Sequence, residues 1–338
     1  MHYYPQSVLL AELKRLWGSK LENPAVMDRL YGRIGVEGRY MALPVEEYAG
    51  LDRWGVANQH WIEISQELGE KALGCALQRA KLKPTEIDAL FFVSITGVAS
   101  PSIDARLINR MGLSTNLKRM PIFGLGCVAG AAGIARAADY VRAFPVQVAA
   151  VLSVELCSLT FQQGDLTMAN MISAGLFGDG AAAVLVVGAE LDLPGPAILA
   201  TRSVFYPDTE QVMGWDISEK GFQIVLSKEV PEVIEQHLAA DVDAFLADQR
   251  LTRSDIKSFI LHTGGPRVLE ATEQALQLPP GALDISWACL RRTGNLSSAS
   301  VLVVLEEVML HQRPAPGTYS LLAAMGPGFC SELILLRW

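Results

Sequence analysis

"GCVAGAAGIARAADYVR" at residues 126–142 and "GNLSSASVLVVLEEVML" at 294–310 are built on one plan. Each opens on Gly, continues with a reactive or polar side chain and then small residues, and runs on as a long helix-patterned stretch. A second pair keeps the same order. "FGDGAAAVLVV" (177–187) and "GPGFCSELILL" (326–336) both follow a strand-like segment and both lead into an apolar strand. Two matched pairs in one order argue for an internal duplication, with halves expected at 1–195 and 196–338. The duplication sets Cys127 and Asn295 at equivalent helix starts, expected to face each other across a pseudo-twofold axis.

The segments around these pairs alternate between two periodicities. Residues 7–17 and 58–81 carry helical spacing; in the second, Trp61, Ile64, Leu68, Leu73 and Leu77 fall near one face. "KPTE" (83–86) reads as a turn into the strand "EIDALFFVSIT" (86–96). "MPIFGLG" (120–126) and "QVAAVLSVELCS" (147–158) are further buried strands, flanking an Ala-rich helix over 127–144. "GLFGDGAAAVLVVG" (175–188) reads as a hairpin arm entered by a Gly-Asp-Gly turn. The second half repeats the order with "IKSFILHTGG" (256–265), a helix over 294–312, and a strand, turn and strand over 317–338. The fold class is therefore α/β.

Bulk properties exclude several functions. The chain has 338 residues, half of them apolar, enough for a large core. No run approaches the roughly 18 apolar residues of a membrane span, and the N-terminus lacks the pattern of a secretory signal. Five cysteines at irregular spacing, with no CxxC, argue against a disulfide framework or a zinc site and for a reducing cytoplasm. The net charge of −8 is dispersed with no basic block, so no nucleic-acid partner is expected.

Three residues stand out chemically. A free Cys is ordinarily a small buried hydrophobe, but Cys127 falls where a strand meets a helix. There, unpaired N–H groups and the helix dipole lower a thiol pKa. His262 ends the strand "SFILH" and precedes Gly-Gly, where loops build sites, although a core-satisfied His reads the same way. Asn295 follows Gly294 and could equally be a helix N-cap. Together they supply a nucleophile, a base and an amide donor.

"GLGCVAGAAG", "LFGDGAAAVLV", "HTGGPRVL", "GNLSSASVLVVLEE" and "MGPGFCSELILLRW" together resemble the ordered motifs of the chalcone synthase-like, or type III polyketide synthase, family. The resemblance spans nearly the whole chain. It implies a thiolase fold of two duplicated halves in a five-layered αβαβα arrangement, a homodimer, and coenzyme A thioesters as substrates without metal or prosthetic group. It makes Cys127 the acyl-carrying nucleophile, expected as a thiolate held by a His262 imidazolium, with His262 and Asn295 stabilising the enolate formed when a malonyl unit loses CO₂.

The same resemblance sketches a pocket. Phe177 matches one gatekeeper, and Ile224 stands where the plant enzymes carry a second Phe. Cys157 and Thr160 stand where the plant enzymes have two threonines, Trp215 stands where they have a glycine, and Met325 lies at the cyclisation end. Ser100 takes the place of a Met that enters the partner subunit, and Arg33, Arg39 and Arg267 are candidates for the coenzyme A phosphates. "ELCSLTFQ", "YPDTEQVMGWDI" and "GFQIVLS" resemble the bacterial alkylresorcinol and alkylpyrone synthases. The expected reaction is iterative condensation of malonyl-CoA onto a medium- or long-chain acyl-CoA, closing to an alkylpyrone or alkylresorcinol. The alternatives are a single-round enzyme like ketoacyl synthase III, a Cys-His-Asn acyl hydrolase, a starter delivered by an acyl carrier protein, and a non-catalytic scaffold. One departure is the start of the chain, almost at "YYPQ", from which the first strand of the sheet is expected to be missing.

Overall fold

The computed structural model describes residues 1–21, 23 and 25–338. The N-terminal half runs β1 (His2–Pro5), α1 (Gln6–Trp17), α2 (Ala25–Ile34), β2 (Gly38–Met41), α3 (Trp54–Ala80), β3 (Ala89–Val93), α4 (Ile103–Met111), β4 (Lys118–Ile122), α5 (Ala129–Ala143), β5 (Val148–Leu156), α6 (Met168–Leu176) and β6 (Asp179–Val187). The remainder runs β7 (Ala197–Phe205), β8 (Met213–Ser218), β9 (Gly221–Leu226), α7 (Val230–Asp248), β10 (Ile256–Leu261), α8 (Pro266–Leu276), α9 (Asp284–Thr293), α10 (Ser300–His311), β11 (Tyr319–Gly326) and β12 (Cys330–Arg337).

Two four-stranded sheets, β4-β3-β5-β6 and β10-β11-β12-β7, form the body. β3 lies parallel to β5, which is antiparallel to β6; β10 lies parallel to β11, which is antiparallel to β12. Thus β3, β5 and β6 are repeated as β10, β11 and β12. Successive strand side chains point to opposite faces, and here both faces are apolar. Leu90, Phe92, Leu152 and Val154 join the cluster under α3 and α4, while Ala89, Phe91, Ala149 and Val151 face α5 and α10. In the other sheet Leu321 and Leu333 point towards α7 and α8, and Leu322 and Ile334 towards the same α5 and α10. α5 and α10 are the shared middle layer of an αβαβα stack. This continuous apolar patterning is why the strands read as uninterrupted hydrophobic runs. At the crossing, a Cβ on Gly130 would meet the Ser298 carbonyl oxygen at 2.1 Å, so only glycine permits this approach.

Several expectations change. The "YYP" run is itself a strand: His2–Pro5 pairs antiparallel with Gly38–Met41 in a two-stranded sheet of its own, where Tyr3 and Tyr40 are cross-strand partners that meet edge-to-face. The Gly-Asp-Gly run is not a hairpin turn. α6 ends at Leu176, and Asp179 already pairs with Leu156 of β5. Among the described residues no helix is long and apolar enough to cross a membrane.

Candidate active site

Cys127 occupies a tight 3-10 turn, Gly126–Val128, between β4 and α5. Gly126 has φ +53° and lies against the Pro327 ring, 2.7 Å from where a Cβ would stand, so this position requires glycine. In the other half a matching turn, Ser297–Ala299, leads into α10, and Ser297 has φ +49°. The structure therefore shifts the expected equivalence by three residues: Cys127 corresponds to Ser298, not Asn295. Asn295 does not start a helix either. It lies in an extended bridge beside Phe177, its N–H donating to Leu176 O (2.9 Å) and its carbonyl accepting from Gly178 N–H (3.0 Å).

The two turns meet at the sulfur. Cys127 Sγ donates to Ser297 Oγ at 3.7 Å, and the Asn295 amide also faces it. Asn295 is fixed from both ends: Oδ1 accepts from Ser297 N–H (2.8 Å) and Ser300 Oγ (3.3 Å), and Nδ2 donates to Gly264 O (3.2 Å). That last bond links Asn295 to the loop after His262. The imidazole is buried at the end of β10, with its backbone N–H on Ala323 O (3.1 Å). No hydrogen bond joins it to Cys127, and Nδ1 has no partner.

The expected thiolate–imidazolium pair meets a desolvation cost on both groups here. Burial pushes the Cys127 thiol up to about 12, against weaker relief from Ser297 and Asn295, and the neighbouring Glu155 adds to the rise. Burial likewise lowers His262 to about 4. Desolvation favours the uncharged form of each, a neutral thiol and a neutral imidazole. Alkylation of Cys127 by iodoacetamide is accordingly expected to be slow at pH 7 and to rise about tenfold per pH unit up to pH 9. Peptide mass spectrometry would separate it from exposed Cys75; a fast, pH-independent plateau below pH 8 would sink this reading.

Sequence reasoning missed Glu155, at 0% exposure beside the nucleophile. Its carboxyl accepts from Thr96 Oγ1 (3.0 Å), Ile95 N–H (3.1 Å), Ser94 Oγ (3.3 Å) and Ser298 Oγ, and burial raises its pKa. An acid inside the apolar run "VLSVEL" was the available signal, since an unpartnered buried carboxyl is costly.

Two cavities adjoin the partners of this seam, the first lined by Phe177, which bridges Asn295, and the second by His262 and Gly264. The first encloses about 680 Å³ of empty space, part of it open to solvent, and gathers Cys157, Thr160, Phe177, Trp215 and Ile224 in its wall. Ile224 and Trp215 are cross-strand partners in β8–β9. Met325 is not in that wall. With His262, Gly264, Met213 and Phe329 it lines a second cavity of about 460 Å³ between the ends of β10 and β11 and α7.

The three arginines separate. Arg33 and Arg267 are exposed, and Arg267 opens α8 next to Val268 of the second cavity. Arg39 is 3% exposed, which removes it from the coenzyme A phosphates. Its guanidinium donates to the carbonyls of Ala174 and Phe177 and to Gln6 Oε1 (3.2 Å), capping the C-terminal end of α6 where helix carbonyls are unpaired. Arg39→Met is expected to cost about 3–5 kcal/mol in urea denaturation, because it strips a buried charge from its partners; a loss under about 1 kcal/mol would contradict the capping role. Ser100 lies exposed on the loop before α4.

Comparison with known proteins agrees with this geometry. Residues 45–191 match the N-terminal domain of the chalcone and stilbene synthases, and residues 197–338 match their C-terminal domain. The chain is 49% identical to the 1,3,6,8-tetrahydroxynaphthalene synthase of Streptomyces peucetius subsp. caesius over all of its own length and 90% of that protein. It is 31% identical to the phloroglucinol synthase of Pseudomonas fluorescens, covering 93% of this chain and 89% of that one. The crystal structure of 1,3,6,8-tetrahydroxynaphthalene synthase from Streptomyces coelicolor A3(2), a bacterial type III polyketide synthase, superposes with a TM-score of 0.95 at 32% identity, covering 100% of this chain and 96% of that one. The products named in these relatives are neither alkylpyrones nor alkylresorcinols.

Proposed function

The chain belongs to the chalcone and stilbene synthase family of type III polyketide synthases, condensing malonyl-CoA by acyl transfer, and from that premise we propose that it loads an acyl-CoA starter on Cys127 and extends it in the first cavity. The observation that carries the reading is the meeting of Cys127 with Ser297 and the Asn295 amide, while His262 lines one cavity and Phe177, the bridge partner of Asn295, lines the other.

The chemistry follows from the groups present. The Cys127 proton passes to the neutral His262 imidazole as the starter thioester arrives, and the sulfur attacks the carbonyl carbon and expels the coenzyme A thiolate, which takes the proton. The site must tighten for this transfer, as catalytic contacts often do on binding. A malonyl thioester then loses CO₂, leaving an enolate whose oxygen accepts hydrogen bonds from His262 and Asn295. The enolate carbon attacks the Cys127 thioester, forming the new carbon–carbon bond and freeing the sulfur. The thioester arm enters by the second cavity, with Arg267 and Arg33 at the surface for its phosphates. Phe177 stands where the chain crosses into the first cavity.

The starter is read from the first cavity. Leu9, Leu13, Met41 and Val45 make its far wall apolar, which suits a medium- or long-chain acyl group and closure to an alkylpyrone or alkylresorcinol. A second reading is favoured by the named relatives: rings without an alkyl chain, assembled from malonyl-CoA alone, with Trp215 narrowing the cavity. One experiment decides. Mass spectrometry of products from malonyl-CoA, with and without decanoyl-CoA, is expected to show masses of decanoyl plus two or more C₂ units. Aromatic polyols from malonyl-CoA alone, unchanged by decanoyl-CoA, would establish the second reading.

A further inference from the structure

Helix α1 forms a wall of the first cavity and is fixed at both ends. At its start, Gln6 Nε2 donates to Gly175 O (2.7 Å), while Gln6 Oε1 accepts from Arg39 Nε (3.2 Å). At its end, Trp17 is fully buried, donates through Nε1 to Gln163 O (2.9 Å) and packs on Phe161 with ring centroids 5.3 Å apart. Both anchors fall on the 161–175 segment, which carries Phe161, Asn170 and Ser173 of the opposite cavity wall. Between the anchors, Leu9, Leu13 and Leu16 stand at helical spacing and line the cavity. Leu9 and Leu13 are 2% and 8% exposed, whereas Val8, on the other face, is 40% exposed. Glu12 also borders the cavity, and its carboxylate accepts from Arg15 Nε (2.8 Å) at the surface.

We propose that α1 is the ruler that sets chain length: the tail of the chain carried on Cys127 lies along Leu9, Leu13 and Leu16, and the longest product is fixed by how far it reaches along them. From Leu9 to Leu16 the helix rises roughly 10 Å, a span over which side-chain volume determines whether several methylenes fit. The ligand class is an unbranched apolar acyl chain, or a growing polyketide of similar reach. The inference rests on the reading above that this chain occupies the first cavity. It adds a specificity element in a part of the chain remote in sequence from Cys127, His262 and Asn295.

The test compares wild type, Leu13→Trp, Leu13→Ala and Val8→Trp with malonyl-CoA alone and with acyl-CoAs from acetyl to palmitoyl, recording kcat/KM and product masses. Leu13→Trp is expected to lower kcat/KM for decanoyl-CoA by about 100-fold relative to acetyl-CoA, the factor for expelling three or four methylenes from a buried site. If wild type uses malonyl-CoA alone, the same variant is expected to shorten the longest product. Leu13→Ala is expected to raise the ceiling, and Val8→Trp to leave it unmoved. Opposite shifts in the two Leu13 variants distinguish a ruler from a general loss of stability. A length profile unmoved in both folded Leu13 variants, or moved equally by Val8→Trp, overturns the inference. Failure of wild type to condense any malonyl unit instead overturns the reading on which it rests, and the inference with it.

Discussion

Cys127→Ala is expected to yield no polyketide at all, with a fall of about 10⁶-fold or to below detection, the scale seen when a covalent nucleophile is deleted. The reason is positional. No other cysteine lies on the seam between the Gly126–Val128 and Ser297–Ala299 turns: Cys157 is buried in the first cavity, where burial also raises its pKa, and Cys289 and Cys330 lie elsewhere. The measurement is product mass together with the mass of the acylated enzyme. Loss of both the acyl adduct and the product, with an unchanged thermal melt, is the expected pattern. Product formation by the Ala variant would remove Cys127 from the mechanism.

His262→Ala is expected to slow malonyl-CoA decarboxylation by roughly 10²–10³, the effect of losing one donor to a developing oxyanion. His262 is suited to this role when neutral, because a neutral imidazole still carries one N–H. Its lowered pKa, about 4, keeps it uncharged in the free enzyme through the working range. The sign for stability follows. As pH falls below the usual histidine value the unfolded chain takes up a proton that the native state refuses, so His262 contributes stability above about pH 6.5 that is lost towards pH 4. His262→Ala should therefore flatten part of the acid limb of the stability curve. Release of labelled CO₂ measures the first effect and urea midpoints from pH 4 to 7 the second. A decarboxylation rate within twofold of wild type would remove His262 from enolate stabilisation.

Much of the architecture was legible because it lies in local periodicity. β5 and β12 read as strands from their largely apolar runs, and α5 and α10 read as repeats from their Gly- and Ser-rich starts. The repeat was misregistered by three residues because the eye aligned Gly126 with Gly294. What corresponds is a backbone state, φ near +50°, that Gly126 and Ser297 share and that composition does not advertise. Arg39 was misjudged for a different reason. Arginine is almost never fully buried unless paired, and its partners are carbonyls on a helix end some 135 residues further along the chain. The wall formed by α1 was invisible for the same cause: the helix was predicted, but which face met which cavity depends on Gln6 and Trp17 finding residues far away.

The seam has a consequence for how the molecule comes alive. Cys127 is presented by one half and His262 and Asn295 by the other, so the contact of Cys127 with Ser297 spans 170 residues and is costly to close early in folding. A nascent or half-unfolded copy holds the thiol without Asn295 and His262 beside it, and so has no donors for a malonyl enolate. Carbon–carbon bond formation is therefore expected only from the completed fold.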